Sequence, residues 1–299
     1  MRIITSDFIN ENFISAEDYA KEDLKFRDTL SVIADKIAME DESKPIVLIS
    51  GPSGSGKTTT ANIIKQLLRE KGRNSYVISL DNYFKTVLPE EVGVADLESP
   101  TRMNSELLSE NIRKIIGCEE TVLPHFDFVD KKSVLTGEKI KRKKGEIVIF
   151  EGIHALNENV LRFDENKTVK LYVSVRTRVK CGDELIHPQY IRLLRRMSRD
   201  SIYRGRDISE TSGYFKSVEK GEELYVAPFK TKADISVDTF MAYEPKIYKK
   251  VLFDKLNGLA EKHADETIVT LLKFLNFFKN GNTDYVVKTS IIKEFIGDF

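Results

Sequence analysis

The stretch Pro45-Ile-Val-Leu-Ile-Ser50, followed directly by Gly51-Pro-Ser-Gly-Ser-Gly-Lys-Thr58, decides the fold of this chain. An apolar run between a proline and a glycine predicts a buried strand of a parallel sheet. The residues after it fit the pattern Gly-x4-Gly-Lys-[Ser/Thr], which is typical of a phosphate-binding loop. A plain glycine turn is the alternative, but the strand before the loop and the helical pattern of residues 59–70 after it supply the context that the motif needs. The sequence therefore predicts that the protein binds a nucleoside triphosphate.

The residue types of this loop match the chemistry of a phosphate group. Glycines allow backbone conformations in which successive N–H groups point at phosphate oxygens, and the following helix directs its positive end at the same anion. Lys57 adds a mobile cation for the β- and γ-phosphates, and the Thr58 hydroxyl can join the shell of a Mg²⁺ ion. A nucleoside triphosphate, ATP or GTP, and Mg²⁺ are thus the expected cofactors, and the loop alone does not choose between the two nucleotides. The expected nucleotide-binding residues of the loop are Gly51, Ser53, Gly54, Ser55, Gly56, Lys57, Thr58 and Thr59.

The composition of the 299 residues is that of an ordinary globular protein, with 41% hydrophobic and 31% charged residues. Lysine plus arginine equals aspartate plus glutamate, so the net charge gives no reason to expect nucleic acid or a membrane surface as a partner. Two cysteines cannot build a disulfide framework, which favours a reducing compartment. The N-terminus lacks the apolar stretch of a signal peptide, and the chain has no apolar run of about 18 residues. We therefore expect a cytoplasmic protein.

Two carboxylates stand at the ends of predicted strands. Four further strands are predicted, at residues 75–80, 146–150, 169–175 and 233–238. Together with the first strand they indicate an α/β fold with a five-stranded parallel sheet flanked by helices. Asp81 follows the second strand and Glu151 the third, and ligands of such sheets lie beyond the carboxyl ends of the strands. Asp81 is thus expected to face the phosphates and Glu151 to hold Mg²⁺ directly or through water, with helix or turn capping as the alternative for both.

A projecting β-hairpin is predicted at about residues 119–142, because residues 121–129 and 133–141 are too polar for the centre of a sheet. A basic run ends the hairpin. It consists of Lys139, Lys141, Arg142, Lys143 and Lys144. A solvated hairpin edge explains this run better than contact with nucleic acid, since the rest of the chain has no matching patch.

An arginine-rich segment follows at residues 187–207. Its six arginines are Arg192, Arg195, Arg196, Arg199, Arg204 and Arg206. Helical spacing puts Arg195, Arg199 and Arg206 near one face. Surface ion pairs could explain any single arginine, but a cluster this dense in a nucleotide-binding chain favours a mobile helical lid over the phosphates, at about residues 183–216.

The chain resembles the uridine–cytidine kinase family of P-loop kinases over about residues 45–240. Six sequence blocks carry the resemblance, in the family's order and spacing. They are Gly51-Pro-Ser-Gly-Ser-Gly-Lys-Thr-Thr59, Ser79-Leu-Asp-Asn-Tyr-Phe84, Leu123-Pro-His-Phe-Asp-Phe128, Phe150-Glu-Gly-Ile-His154, Arg195-Arg-Met-Ser-Arg-Asp200 with Arg204-Gly-Arg-Asp207, and Pro228-Phe-Lys-Thr-Lys-Ala-Asp234. The ending Ser290-Ile-Ile-Lys-Glu-Phe-Ile-Gly297 is similar to that of a bacterial subgroup, whose members often carry an extra N-terminal region.

The resemblance implies phosphoryl transfer from ATP to the 5′-hydroxyl of a nucleoside, with uridine and cytidine as the first candidates. Asp81 takes the place of the catalytic base and, with Thr58 and Glu151, lies in the magnesium shell. The implied catalytic residues are Asp81, Lys57, Arg196 and Arg204, and Arg199 and Arg206 match lid arginines near the nucleotide phosphates. The expected substrate-binding residues are Tyr83, Phe84, Phe126, Phe128 and Lys131.

Three positions depart from the family and leave the acceptor open. The family commonly has tyrosine at Phe126, histidine at Lys131 and glutamine at Gly213. Loss of hydrogen-bonding groups that read a base relaxes or changes base discrimination. A purine nucleoside, pantothenate or a sugar phosphate therefore stays open as the acceptor, and a non-catalytic nucleotide-binding regulator is the alternative of another class.

The predicted organisation has three parts. Residues 1–44 form a short helical extension with a helix starting after Ser15, residues 45–240 form the P-loop kinase domain, and residues 241–299 form a helical segment packed on that domain. Hydrophobic positions in both end segments are consistent with packing on the core or on a second subunit of a homo-oligomer.

Overall fold

A five-stranded parallel sheet with helices on both faces forms the centre of the molecule. The computed structural model describes residues 2–40, 44–91, 96, 98–262 and 265–297, except the side chain of Thr136. The strands are β1 (Ile3–Thr5), β2 (Ile46–Ser50), β3 (Ser75–Ser79), β4 (Thr121–Asp127), β5 (Lys132–Ile140), β6 (Ile147–Glu151), β7 (Thr168–Ser174), β8 (Arg178–Cys181), β9 (Glu184–Ile186) and β10 (Ile235–Asp238). The α-helices are α1 (Ser6–Asn12), α2 (Ala16–Met39), α3 (Lys57–Glu70), α4 (Ser105–Ile116), α5 (Gln189–Tyr203), α6 (Ile208–Tyr225), α7 (Glu244–Ala260), α8 (Glu266–Asn276) and α9 (Lys293–Ile296).

The central sheet confirms the predicted α/β fold. Its strand order is β10-β7-β2-β6-β3, and all neighbours are parallel. Strand β2 lies in the middle because all five of its residues are apolar or small and buried on both faces. In the strand register, Glu151 lies opposite Ile49 on one side and Ser79 on the other. The carboxyl ends of β2, β6 and β3 therefore meet at one edge of the sheet.

Two hydrophobic layers cover the sheet because side chains alternate between the faces of a strand. Val47 and Ile49 of β2 belong to one layer, together with residues of α2, α3, α5, α7 and α8. Ile46 and Leu48 belong to the other layer, together with residues of α4. Among the described residues, no helix is both long enough and apolar enough to cross a membrane.

The N-terminal segment is not purely helical, which corrects one prediction. Helix α2 does begin after Ser15, whose hydroxyl forms a capping box with Asp18. Strand β1, however, pairs in parallel with β8, and β8 pairs with β9, to form a second sheet of three strands. Strands of three or four residues carry too little periodicity to be recognised from sequence.

The predicted hairpin is present as a two-stranded antiparallel sheet of its own, formed by β4 and β5. The segment after β3 holds it: Asn82 Oδ1 accepts from the backbone N–H of Phe126 at 3.2 Å, and Thr86 Oγ1 accepts from Ser133 at 3.0 Å. In the basic run at its end, the lysines are exposed as expected. Arg142 is not, because its side chain is buried and its Nε donates to the carbonyl of Glu146 at 2.8 Å.

The arginine-rich segment also differs from its prediction. Helix α5 ends at Tyr203, so Arg206 lies beyond the helix and shares no helical face with Arg195. Arg195 is completely buried and forms an ion pair with Glu244 of α7, at 2.8 Å. It therefore joins α5 to α7 inside the protein. Helical spacing alone does not distinguish this face of α5 from the face toward the phosphate-binding loop, because both faces are buried.

Candidate active site

The phosphate-binding loop leaves the carboxyl end of β2 in a conformation that depends on glycine. Gly54 and Gly56 have φ angles of 73° and 82°, in the left-handed region that side chains disfavour. A Cβ on Gly51 would collide with the backbone carbonyl oxygen of Val173 in β7. Gly56, the N-cap residue of α3, has no side chain that could cap this helix, so the helix presents its N-terminus at the loop. The loop thus has the shape of an anion cradle at a helix N-terminus.

Lys57, Thr58 and Glu151 lie together at the floor of a cleft of about 620 Å³. The Lys57 ammonium donates to the carbonyl of Pro52 at 3.2 Å, and the Thr58 hydroxyl donates to Glu151 Oε1 at 3.1 Å. Asp81, two residues past the end of β3, lines the same cleft. Burial, and next the negative charge of Asp81, raise the pKa of Glu151 to about 7.

This donor set fits a magnesium ion held jointly with a nucleotide. Mg²⁺ in phosphate-transfer sites is bound by one or two carboxylates, with the substrate phosphates and water completing its octahedron. Thr58 and Glu151 supply a hydroxyl and a carboxylate side by side. Among the described residues, no group of three or more His, Cys, Asp or Glu side chains could hold a metal ion without other ligands. The site therefore fits a metal that arrives with the nucleotide.

Four arginines converge on one carboxylate at the wall of the cleft. The contacts to Asp200 come from Arg196 at 3.4 Å, Arg199 at 3.3 Å, Arg204 at 3.5 Å and Arg206 at 4.0 Å. Asp200 is fully buried, and although burial alone would raise its pKa, the four guanidinium groups lower it. Burial and the charge of Arg199 lower the pKa of Arg204 to about 9. One negative charge thus holds four positive groups that line the cleft.

Ser53 connects the loop to two helices. Arg196 of α5 donates to the Ser53 hydroxyl at 2.8 Å, and Arg192 donates to the Ser53 carbonyl at 3.1 Å. The carboxylate of Glu222 in α6 accepts from the Ser53 backbone N–H at 2.8 Å and from Arg192 at 2.7 Å. Arg192 therefore supports the loop from behind, and Arg196 reaches it from the side of the cleft.

An aromatic wall faces the loop across the cleft. The rings of Phe84 and Phe126 pack edge to face at 6.0 Å, and those of Phe126 and Phe128 at 5.2 Å. The Arg204 guanidinium stacks on the Phe128 ring at 4.1 Å and so joins the arginine cluster to the hairpin. Lys131, at the hairpin turn, also lines the cleft. Flat apolar surfaces of this kind suit the stacking of a planar ring system.

Most predicted site residues reach this cleft, and a few do not. The cleft is lined by Ser53, Gly54, Gly56, Lys57, Thr58, Asp81, Phe84, Phe126, Phe128, Lys131, Glu151, Arg196, Arg199, Arg204 and Arg206, among others. Tyr83 is 1% exposed and packs in the core, where its hydroxyl accepts from Asn111 at 3.1 Å, so the structure does not bring it to the cleft with the other predicted substrate-binding residues. Gly51 and Ser55 shape the loop from outside the lining, where they contact β7 and the buried interior. The Thr59 donors are bound by the carboxylate of Glu294, which lines the cleft in place of Thr59.

Four acidic residues of the site were not predicted. Asp200 organises the arginines and Glu222 holds Ser53, as described above. Glu98 lines the cleft 3.8 Å from Arg196, and burial raises its pKa to about 7. Glu294 lines the cleft from the other end of the chain and accepts hydrogen bonds from Thr59. Asp200 and Glu294 stand inside sequence blocks that resemble the family, but those blocks gave neither residue a role, and nothing in the local sequence marks Glu98 or Glu222.

A P-loop, carboxylates at the carboxyl ends of two further strands of the same sheet, and an arginine-lined cleft define a P-loop kinase. Comparison with known proteins supports this class and narrows it. The chain belongs to the Phosphoribulokinase / Uridine kinase family, whose model matches residues 46–243. The predicted resemblance is thereby confirmed, and the protein is a kinase.

Individual relatives agree with this assignment. A uridine kinase from Staphylococcus epidermidis is 30% identical over 221 residues, which are 73% of this chain and 97% of the relative. A uridine kinase from Halobacterium salinarum is 27% identical over 193 residues, which are 63% of this chain and 77% of the relative. The solved structure of a possible uridine kinase from Bacillus stearothermophilus has the same fold, with a TM-score of 0.50 at 19% identity over 72% of this chain and 100% of that one.

Proposed function

We propose that this kinase transfers the γ-phosphoryl group of ATP to the 5′-hydroxyl of a nucleoside, with uridine and cytidine as the first candidates. The observation that carries the proposal is the common cleft of Asp81, the phosphate-binding loop and the aromatic wall. A carboxylate between a phosphate cradle and a stacking surface is where the base of such a reaction has to lie. Relatives named uridine kinase give the acceptor class its support.

In the proposed mechanism the protein aligns its substrates and neutralises charge more than it forms covalent bonds. The loop amides and Lys57 hold the donor phosphates, and Asp81 accepts the proton of the acceptor hydroxyl. Arg196 and Arg204 stabilise the charge that spreads over the transferred group, in a site whose burial strengthens electrostatic interactions. Thr58 and Glu151 would hold Mg²⁺, which neutralises phosphate oxygens when it is bound.

The acceptor is proposed to stack on Phe84, Phe126 and Phe128, with its sugar near Asp81. The Glu98 carboxylate and Arg196 offer an acceptor and a donor of hydrogen bonds to sugar hydroxyls at the same wall. Lys131 has only donors to offer a base, so it pairs with a carbonyl oxygen rather than with an amino group. Uridine, which carries carbonyl groups at both edges of its pyrimidine ring, is therefore the first acceptor to test.

The test is a coupled assay of ADP release over a panel of pyrimidine and purine nucleosides, pantothenate and sugar phosphates. Stimulation by one nucleoside supports the proposal, whereas stimulation by another compound alone assigns a different acceptor. Turnover that no acceptor stimulates favours a nucleotide-binding regulator.

A second measurement uses Asp81→Asn. We expect turnover to fall at least about a hundredfold, as for a lost general base, while the affinity for ADP changes less than about threefold. Asp254→Asn, on the exposed face of α7, is the control and should leave turnover unchanged. Normal turnover of the Asp81 variant would remove this carboxylate from its proposed role.

A further inference from the structure

The C-terminal segment, residues 290–297, reaches the phosphate-binding loop. In α9, Glu294 Oε2 accepts from the Thr59 hydroxyl at 2.6 Å and from the Thr59 backbone N–H at 3.3 Å. Thr59 is the third residue of α3, so this N–H is one of the first-turn donors that have no partner within the helix. A carboxylate from the far end of the chain is therefore bound at the start of the loop's helix.

The backbone of this segment is firmly packed. Ile291, Ile292 and Phe295 are completely buried, and the Ile291 side chain lies so close to Gly56 that a Cβ there would collide with it. The Phe295 ring lies under the Arg195 guanidinium at 5.0 Å. The Glu294 side chain, in contrast, is only partly buried and faces the cleft. The apolar anchors thus fix the backbone while this one side chain has room to turn.

The donors that hold Glu294 are of the kind that phosphates use. In a P-loop, the backbone N–H groups of the loop and of the first helical turn cradle the α- and β-phosphates, and this helix end attracts anions in general. A nucleotide phosphate bound in the loop would therefore meet the Glu294 carboxylate at the Thr59 donors. The two anions would compete for the same hydrogen bonds, and their like charges would repel each other.

We propose that Glu294 is an intramolecular competitor of the donor nucleotide and lowers the affinity of the phosphate-binding loop for ATP and ADP. This inference rests on the proposed function, since it assumes that the loop holds a nucleotide. When the nucleotide binds, the Glu294 side chain turns away from Thr59 and the anchors stay in place. The C-terminal segment thereby sets how tightly the kinase holds its donor and releases its nucleotide product.

The experiment is titration calorimetry of ADP with the full chain in EDTA, so that no divalent metal contributes. Glu294→Gln keeps the size of the side chain and removes its charge. A hydrogen bond to a charged group is stronger than a neutral one by an amount that corresponds to about a tenfold change in binding, so we expect ADP to bind about tenfold more tightly. Glu266→Gln, an exposed glutamate in the first turn of α8, is the matched control and should bind ADP as the wild type does.

Two further readouts separate competition from a merely structural role. In a Thr59→Ala background the Glu294→Gln gain should shrink to less than about threefold, because the hydroxyl that binds the carboxylate is absent. Without nucleotide the Glu294→Gln variant should melt a few degrees lower than the wild type, yet ADP should raise its melting temperature by more. A variant that binds ADP equally or more weakly refutes the competition. If the wild type and the variant both fail to bind ADP, the proposed function is refuted and the inference with it.

Discussion

Replacement of Asp200 by asparagine tests whether one buried carboxylate holds the arginine wall together. Asparagine keeps the shape of the side chain but leaves four guanidinium groups, within 3.3 to 4.0 Å of its position, without their shared counter-charge. The side chains of Arg196, Arg199, Arg204 and Arg206 are only 7 to 17% exposed, so solvent screens their mutual repulsion weakly. Removal of one partner from a buried ion pair costs about 3–5 kcal/mol, and we expect a loss of unfolding free energy in this range.

The assay is thermal and urea unfolding of Asp200→Asn beside the exposed control Asp254→Asn. A loss of this size lowers the melting temperature by about 5–8 °C in a protein of this length. ADP should recover part of the loss, because its phosphates neutralise the same arginines, so the ADP-induced rise in melting temperature is larger in the variant than in the wild type. Melting within 2 °C of the wild type, with an unchanged ADP effect, would refute the reasoning.

The pH dependence gives a second check on the same carboxylate. The pKa of Asp200 is lower in the folded protein than its ordinary value of 3.8. Its stabilisation is therefore complete above the unfolded pKa and is lost as the pH falls through the folded pKa. The difference in stability between the wild type and Asp200→Asn should accordingly persist at neutral pH and shrink below about pH 4.

Two more substitutions test burial and packing at the site. Burial raises the pKa of Glu98 to about 7, so the folded protein binds the proton of this carboxyl group more tightly than the unfolded chain does. The protonated group therefore stabilises the fold below pH 4.5, and this stabilisation is lost as the pH rises through 7. Glutamine does not titrate, so Glu98→Gln avoids that loss. The unfolding free energy of the variant minus that of the wild type, measured by urea denaturation, should therefore rise by up to about 3 kcal/mol between pH 4.5 and 8. Gly51→Ala forces a methyl group against the Val173 carbonyl of the central sheet and should cost about 2–3 kcal/mol, with at least tenfold weaker ADP binding by calorimetry.

The controls for these two variants come from the chain itself. Glu106→Gln, on the exposed side of α4, should show no pH-dependent gain. Gly258→Ala lies inside α7 with open space around its Cβ and should be neutral or slightly stabilising. A Glu98 variant that follows the wild type at every pH would show that this carboxyl group titrates normally. Full ADP affinity in Gly51→Ala would show that the loop tolerates a side chain against β7.

The sequence predicts the site residues that belong to a recognisable local pattern, such as a strand followed by a glycine-rich loop or a carboxylate at a strand's end. The buried run before Gly51 predicts β2, and strand ends predict Asp81 and Glu151, because parallel strands bring their carboxyl ends to one edge of the sheet. Contacts between distant segments carry no such pattern. Glu294 lies 235 residues from Thr59, and Glu222 lies 169 residues from Ser53. Only the packing of α9 and α6 on the loop brings these carboxylates to it.

Residue type also fails to predict the site where neighbouring residues of similar chemistry face different environments. Tyr83 stands in a block that ends at the cleft, but the 3-10 turn after β3 directs it into the core beside Asn111 while Phe84 reaches the cleft. Arg195 and Arg196 are neighbours in sequence, yet one pairs with Glu244 inside the protein and the other faces the cleft. A helix buried on several sides has no solvent face from which the functional side could be inferred.

The attachment of the β4–β5 hairpin has a consequence for how kinases of this design can acquire new substrates. The hairpin forms a sheet of its own and meets the rest of the chain through residues 82–87, Asn111 of α4 and the stacking of Arg204 on Phe128. The proposed donor site lies at the central sheet and its loop, whereas the aromatic surface proposed for the acceptor lies largely on the hairpin. If these proposed roles hold, exchange of the hairpin between related enzymes would change the acceptor without rebuilding the phosphate-binding loop.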